Sequence, residues 1–493
     1  MKAPAMSIDL SLADLSRLDR IREVLAANDA NRQFTDLGMA EVHIAADVLP
    51  LLAEVIDRHL QAAGHAPGHR AEVRLIVDPV VIRRQDADLK AQVVAVLSAR
   101  HNLRRVTLDD GHPILHADEA ILDRAAAASV GADVVVSVGG GTITDVAKVA
   151  AERNGVPVHI VVQTAASVDG YTDNFAVVLQ NGVKTTLPSR WPEAVLADTT
   201  VIADAPHYLN ASGFGELLSM YSAPGDWYLA SRMGMDQKYA PVLLDMLNLC
   251  GEGIEQWSGG IATGAPEACT RLTSALAMRG IVTGVGGTTA SLSGMEHLIS
   301  HMFDMANGEL HEPTGLHGAQ VGVGSVIRAA AWEVFSERVK EEGLDPSSLF
   351  PALDALEARV KAAFSWLDPS GRIGAECWGR YRKKLAAWHA ERDRITGAFA
   401  DWPALCLEQE RLSFGSHKMA LYLHRAGAAK RSSDLTPAPP ADRLHWAVQN
   451  CQFMRERFTV ADLLLLAGWW DDAGVARVLA RVEQACAAAE GAH

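Results

Sequence analysis

Short apolar runs alternate with amphipathic stretches between residues 41 and 204. The runs "VRLIVD", "DVVVSVGG" and "VHIVVQT" are rich in Val and Ile, and segments such as "DADLKAQVVAVLSAR" and "TDVAKVAAERNG" lie between them. The runs predict buried strands and the intervening segments predict helices. That alternation predicts βαβ units, hence an α/β N-terminal domain with a mainly parallel sheet over 41–204. After "DTTVIADAP" the chain turns Ala- and Leu-rich and amphipathic, as in "YRKKLAAWHAERDRITGAFADW". This predicts an all-α domain over 205–493, in which the charged helices of 335–410 form an elaboration. "SSDLTPAPPADRL" is a Pro-rich loop within that domain, and residues 1–40 form a helical N-terminal extension.

Composition narrows the partners. The chain has 493 residues and a formal net charge of −15. Long-range repulsion then disfavours nucleic acid and anionic membrane surfaces, while a local pocket for a small phosphate stays open. The six cysteines are scattered without a CxxC pair, which fits reduced thiols in a cytosolic protein. No apolar run approaches the roughly 18 residues that span a bilayer. Asp9 and Asp14 interrupt the place where a secretory signal needs an apolar core. The expectation is a soluble, cytoplasmic protein.

Three segments carry candidate chemistry. In "DVVVSVGGGTITDVAKVAA" a strand runs through Gly139, Gly140 and Gly141 into a helix. Glycines there let the backbone approach a ligand and leave helix-start amides for phosphate oxygens; alone, they equally make a tight turn. The spacing is not GxGxxG. Asp78 closes an earlier strand, where a carboxylate can accept from ribose hydroxyls, and the two signals together point to a dinucleotide. "QTAASVDGYTDN" follows another strand; its Asp169 is either a turn residue before Gly170 or a partner for a substrate hydroxyl. Glu216 stands alone in the small, apolar run Ala211 to Met220, and His297, His301, His311 and His317 cluster downstream. One carboxylate and two imidazoles from separate helices would make a three-ligand site that leaves positions open for substrate; the alternative reading is a solvated helix glutamate with packed or solvated histidines.

The segments "GGGTITDVAK", "QTAASVDG", "SGFGELLSMYSAPGDW", "SGMEHLISH" and "LHGAQVGVG" occur in this order, with "MRERFTVADLL" near the end. Together they resemble the sn-glycerol-1-phosphate dehydrogenases, within the iron-containing alcohol dehydrogenase and dehydroquinate synthase superfamily. The resemblance covers about residues 40–330 and returns near 410–470. It implies NAD or NADP with its pyrophosphate at Gly139, Gly140 and Gly141, next to Thr142 and Asp145. It implies Asp78 near the adenosine ribose, Thr164 near the nicotinamide side, Ser167 as a further cofactor-binding residue, and Asp169 as the catalytic residue touching substrate or nicotinamide. It further implies one divalent metal (zinc, nickel or iron) on Glu216, His297 and His317, with His301 outside the ligand set. A small phosphorylated polyol or ketone would be the substrate, and a homodimer stays open.

One position departs from that family's pattern, which usually has Asp where this chain has Glu216. The related dehydroquinate synthases use a Glu–His–His set for zinc, so a metal ligand at 216 is kept while the substrate inference weakens. The expected reaction interconverts dihydroxyacetone phosphate and sn-glycerol 1-phosphate. The alternatives are a dehydrogenase of another polyol phosphate, a dehydroquinate-synthase-like sugar-phosphate cyclase, and a non-catalytic nucleotide-binding paralogue. Against the cyclase, "QTAASVDGYTDN" lacks the lysine-bearing continuation of those enzymes. The phosphate pocket is unassigned; Lys184, His417, Lys418 and Arg425 are available cations.

Overall fold

The computed structural model describes residues 14–112, 115–180 and 183–492. The first 13 residues of the expected N-terminal extension lie outside them; the described part holds the helix Leu18–Asn28. The chain divides into two units, Met1–Gly213 with Pro241–Gly287, and Phe214–Ala240 with Thr288–His493. The contacts thus group the helices of 241–287 with the first unit, whereas apolar periodicity drew a single boundary at 204. Helical patterning reports that a segment is amphipathic, and it does not say which neighbour covers the apolar face.

Unit 1 is built on six strands: β1 (Glu41–Ala45), β2 (Glu72–Val77), β3 (Asn102–Thr107), β4 (Val134–Gly139), β5 (Val158–Gln163) and β6 (Ala194–Asp198). They form one sheet in the order β1-β6-β5-β4-β2-β3, and every neighbouring pair is parallel. The central strands β4 and β5 are buried at every position, which is why "VVVSVG" and "VHIVVQ" read as continuous apolar runs. Val134, Val136 and Val138 pack into one core cluster with Leu75 and Ile160, and Val135 joins a second with Ile76 and Val146. The sheet is therefore covered on both faces, as the expected α/β class requires. A hairpin, Phe175–Gln180 with Val183–Pro188, also belongs to this unit.

Unit 2 is helical, with short 3-10 turns. The charged segment of the expected elaboration folds as the helices Glu357–Ala363, Arg372–Ala390, Arg392–Ala400 and Trp402–Leu412. Among the described residues no helix is long and apolar enough to cross a membrane. All six cysteines are free thiols.

A buried lysine ties the loop after β5 to helix α1 (Gly141–Arg153). Lys148 donates to Asp173 Oδ1 at 2.5 Å, Gly170 O at 2.6 Å and Phe175 O at 2.8 Å. Asp145 stands one turn earlier, 3.8 Å from the same ammonium. Two carboxylates share one cation in a dry place. Burial, only partly offset by Lys148, raises Asp145 to about 7 and Asp173 to about 6. A folded-state value raised above the unfolded one contributes stability below about pH 4 that is lost as pH rises through about 7. The variant Asp145→Asn, which keeps the shape without the charge, is expected to gain thermal midpoint relative to the parent as pH moves from 5 to 8. Melting both proteins across that range checks this, and a difference independent of pH would contradict it.

Candidate active site

The nucleotide candidates of unit 1 lie at the carboxyl ends of β2 and β4. These strands are neighbours, yet β2 leads on to β3 on one side and β4 to β5 on the other. The crevice between them is the topological switch point, where open α/β sheets take ligands. Asp78 directly follows β2, Gly139 ends β4, and Gly140 caps α1. A Cβ at Gly140 would meet nothing within 4 Å, whereas one at Gly141 would stand 2.8 Å from Val168. Open space thus faces the start of α1, where first-turn amides, those of Gly141 and Thr142 among them, have no helical acceptor. The residues present fit a pyrophosphate.

The remaining unit 1 candidates are held by specific partners. Asp78 Oδ1 accepts from the buried Lys90 at 2.5 Å and from the Val80 amide at 3.1 Å. The Asp145 carboxylate accepts from the Val177 amide at 3.1 Å and so faces the hairpin. Thr164 is buried, and Ser167 Oγ lies 3.3 Å from the Tyr171 hydroxyl. Asp169 Oδ2 receives the fully buried Arg279 of helix α3 (Pro266–Gly286), at 3.2 Å from Nε and 3.0 Å from Nη2. Arg279 is a lone cation in the apolar run "SALAMRGIVTGVG", a signal of the same kind as Glu216. Its helix reaches the loop because Gly280 has no side chain: a Cβ there would overlap Thr172 and the Asp169 carbonyl.

In unit 2 three helices converge on Glu216. It lies in the second half of α2 (His207–Leu218), His297 in the first turn of α4 (Met295–Leu310), and His317 at the start of α5 (His317–Glu342). Glycines bring these helices to backbone contact. A Cβ at Gly215 would overlap the Gly318 carbonyl, one at Gly322 would stand 2.9 Å from Gly215 Cα, and one at Gly324 would stand 2.6 Å from the Glu296 carbonyl. Only with hydrogen at those three positions do the ligand-bearing turns fit side by side.

Glu216 is 2 % exposed, so the solvated-helix reading of the sequence does not hold for it. Its Oε1 lies 3.3 Å from His297 Nε2 and its Oε2 lies 3.7 Å from His317 Nε2. One ligand atom from each of the three residues falls within 4.8 Å of the others. His301 stands beside this group, its ring 5.8 Å from that of His317 and 6.3 Å from that of His297. His311 ends α4 in a left-handed conformation, φ 55°, and is exposed. Of the cations considered for phosphate, Lys418 stands over the Phe414 ring at 3.8 Å, and the Lys184 side chain lies outside the described residues.

The far nitrogens of both histidines are also held. His297 Nδ1 donates to Glu296 Oε1 at 3.0 Å. Ser300 gives its hydroxyl proton to Gln320 Oε1 at 2.7 Å and so accepts from His317 Nδ1 at 3.0 Å. This network fixes a proton on each Nδ1 and turns both Nε2 atoms toward Glu216. Two ring nitrogens and a buried carboxylate that converge on one point fit a cation. Burial by itself would lower the His297 pKa, but Glu216 and Glu296 on its two ring nitrogens raise it to about 9, so without a cation Nε2 holds a proton facing Glu216, and metal binding would release it. The donor set, one carboxylate and two imidazoles, suits a divalent transition metal with positions left for substrate.

Glu296 carries no role in the sequence reading, although it sits inside "SGMEHLISH". Adjacent residues on a helix do not normally face each other, so spacing gives no sign of a Glu296–His297 bond. It forms because Glu296 folds back over the start of α4. The same carboxylate accepts from the Gly294 amide and, at 3.0 Å, from Ser222 Oγ. Gly294 leaves room for this, since a Cβ there would stand 3.0 Å from Glu296 Oε2.

Comparison with known proteins gives concordant results. The family described as iron-containing alcohol dehydrogenase matches residues 60–206. The chain is similar to the glycerol-1-phosphate dehydrogenase [NAD(P)+] of Bacillus velezensis, 31 % identical over 277 residues, which is 54 % of this chain and 68 % of that protein. It is also similar to the protein of the same description from Halorubrum lacusprofundi, 33 % identical over 264 residues, 53 % of this chain and 69 % of that one. Among solved structures, a probable glycerol dehydrogenase from Sinorhizobium meliloti superposes with a TM-score of 0.53 and 16 % identity, covering 93 % of this chain and 99 % of that one, a likeness of fold.

Removing the Glu296 carboxylate frees the His297 ring to turn. Glu296→Ala is expected to weaken metal binding by about 10- to 100-fold, read by competition with a chromophoric chelator. Glu296→Gln, whose amide oxygen can accept the same bond, should recover most of that loss. Equal affinities in the parent and Glu296→Ala would contradict the positioning role.

Proposed function

We propose that this chain, which belongs to the glycerol-1-phosphate dehydrogenase family, interconverts dihydroxyacetone phosphate and sn-glycerol 1-phosphate with NAD or NADP. The observation that carries the reading is the triad of Glu216, His297 and His317, with both Nε2 atoms turned to one carboxylate. A divalent metal held there supplies Lewis-acid polarisation of a carbonyl, and the bound nicotinamide supplies or accepts the hydride. Zinc, nickel and iron each suit the donor set.

The chain's own residues would bind and orient. Gly139, Gly140 and Gly141 with the Thr142 amide take the pyrophosphate at the start of α1. Asp78 at the end of β2 would accept from an adenosine ribose, which favours a free 2′-hydroxyl and hence NAD, with the Lys90 ammonium fixing its rotamer. Thr164 and Ser167 line the loop after β5. Asp169 keeps about a quarter of its side chain exposed beside its pairing with Arg279. It would therefore accept a hydrogen bond from a substrate hydroxyl and orient the reacting carbon, leaving proton delivery to water or to that hydroxyl. Glu216, one methylene longer than aspartate, still reaches both imidazoles because the glycine contacts set the spacing of α2 and α5.

The test is NADH and NADPH oxidation with dihydroxyacetone phosphate, on protein stripped of metal and reloaded singly with zinc, nickel or iron. Expected is metal-dependent oxidation yielding sn-glycerol 1-phosphate, with no phosphate released. Phosphate release from a heptulosonate-type substrate without net NADH change would replace the reading with a cyclase. Nucleotide binding with no turnover on any polyol phosphate would replace it with a non-catalytic protein.

A further inference from the structure

Unit 1 contains a second set of metal-type donors. The sequence "GHAPGHR" follows the helix Leu52–Ala62, and its two turns carry His65 and His69. Gly64 and Gly68 hold positive φ, 96° and 76°. Backbone bonds from His65 N to Leu60 O and from His69 N to Ala66 O fix each turn. The two imidazoles stack with centroids 4.5 Å apart. Asp133 reaches the same point from the residue before β4, with Oδ2 3.2 Å from His69 Nε2. That carboxylate is held by the Glu72 amide at 2.8 Å and so does not depend on the imidazoles for its place. One ligand atom from each of the three residues lies within 4.8 Å of the others.

We propose that His65, His69 and Asp133 form a second divalent-cation site. Two imidazoles and one carboxylate are a zinc-class donor set, and partial exposure leaves the other positions to water. Nearby cations do not occupy the carboxylate: Arg70 bonds Asn102, and Arg74 bonds the Ala128 carbonyl and Glu72. Among the described residues the His65 ring nitrogens have no hydrogen-bond partner, so one is available as a ligand. The site sits where β2 and β4 begin, whereas the nucleotide loop is at their carboxyl ends. With six residues in β2, that separation is about 20 Å. A cation here would clip the loop before β2 to the loop before β4, 64 residues further along the chain. Its role would be to brace the sheet, and it is independent of the reaction proposed above.

The experiment counts zinc bound to the full chain after dialysis against zinc-buffered solution. It compares the parent, Glu216→Ala, the double variant His65→Ala/His69→Ala, and the triple combination. The double variant is expected to hold one equivalent fewer than the parent, whatever Glu216→Ala does. Zinc should also raise the thermal midpoint of Glu216→Ala by several degrees and leave that of the triple variant unmoved. The histidines are partly exposed, so the variants should fold; His69→Asn, a gentler change, should lose the same equivalent. Equal zinc content in the parent and the double variant, or an equal thermal response in Glu216→Ala and the triple variant, would overturn the site.

Discussion

Backbone contact between helices is the constraint on which the unit 2 site depends. Gly215, against the Gly318 carbonyl, and Gly322 bring α2 and α5 together, and Gly324 does the same for α5 and α4 at Glu296. Helices separated by ordinary side chains pack at about 8–10 Å between axes, and glycines allow less. The closer packing makes a short, dry interior in which one carboxylate can face two imidazoles. The same residues that look permissive in the sequence are therefore the ones that fix the geometry.

That dryness gives the triad its electrostatic character. A buried carboxylate is costly unless paired, and Glu216 has imidazole nitrogens for neighbours. Those nitrogens are oriented from behind by Glu296 on one side and by Ser300 with Gln320 on the other. The arrangement is thus two layers deep, with Asp226 fixing the start of α4 through the Met295 amide at 2.9 Å while it pairs with the buried Arg328 at 3.0 Å. Unit 1 repeats the logic with opposite charges: Lys148 and Arg279, both fully buried, hold the loop that carries Asp169.

Much of this was legible in the sequence. Continuous apolar runs mark β4 and β5 because a parallel sheet covered on both faces leaves no polar alternation. Glu216 stood out as a lone carboxylate in the small, apolar run Ala211 to Met220, and its burial is what separates the ligand reading from a solvated one. Other features were hidden for physical reasons. The Glu296–His297 bond depends on a side chain folding back at a helix start, which spacing does not encode. The grouping of Pro241–Gly287 with unit 1 depends on which apolar face meets which. Asp145 lies in the glycine-loop helix, yet its carboxylate faces Val177 and Lys148, a direction set by the hairpin's position. His65 and His69 carry no role in the sequence reading, because Asp133, their third partner, comes from a distant stretch of the chain.

The central claim is that close-packed helices present Glu216, His297 and His317 as one set of metal ligands. The most direct measurement is anomalous diffraction from crystals grown with zinc, nickel or iron in turn, collected at each metal's absorption edge. The account predicts a peak bonded to a Glu216 carboxylate oxygen and to Nε2 of both histidines, at about 2.0–2.2 Å if the metal is zinc. A metal bound elsewhere with this triad vacant, or one held through Nδ1 of either histidine, would contradict it.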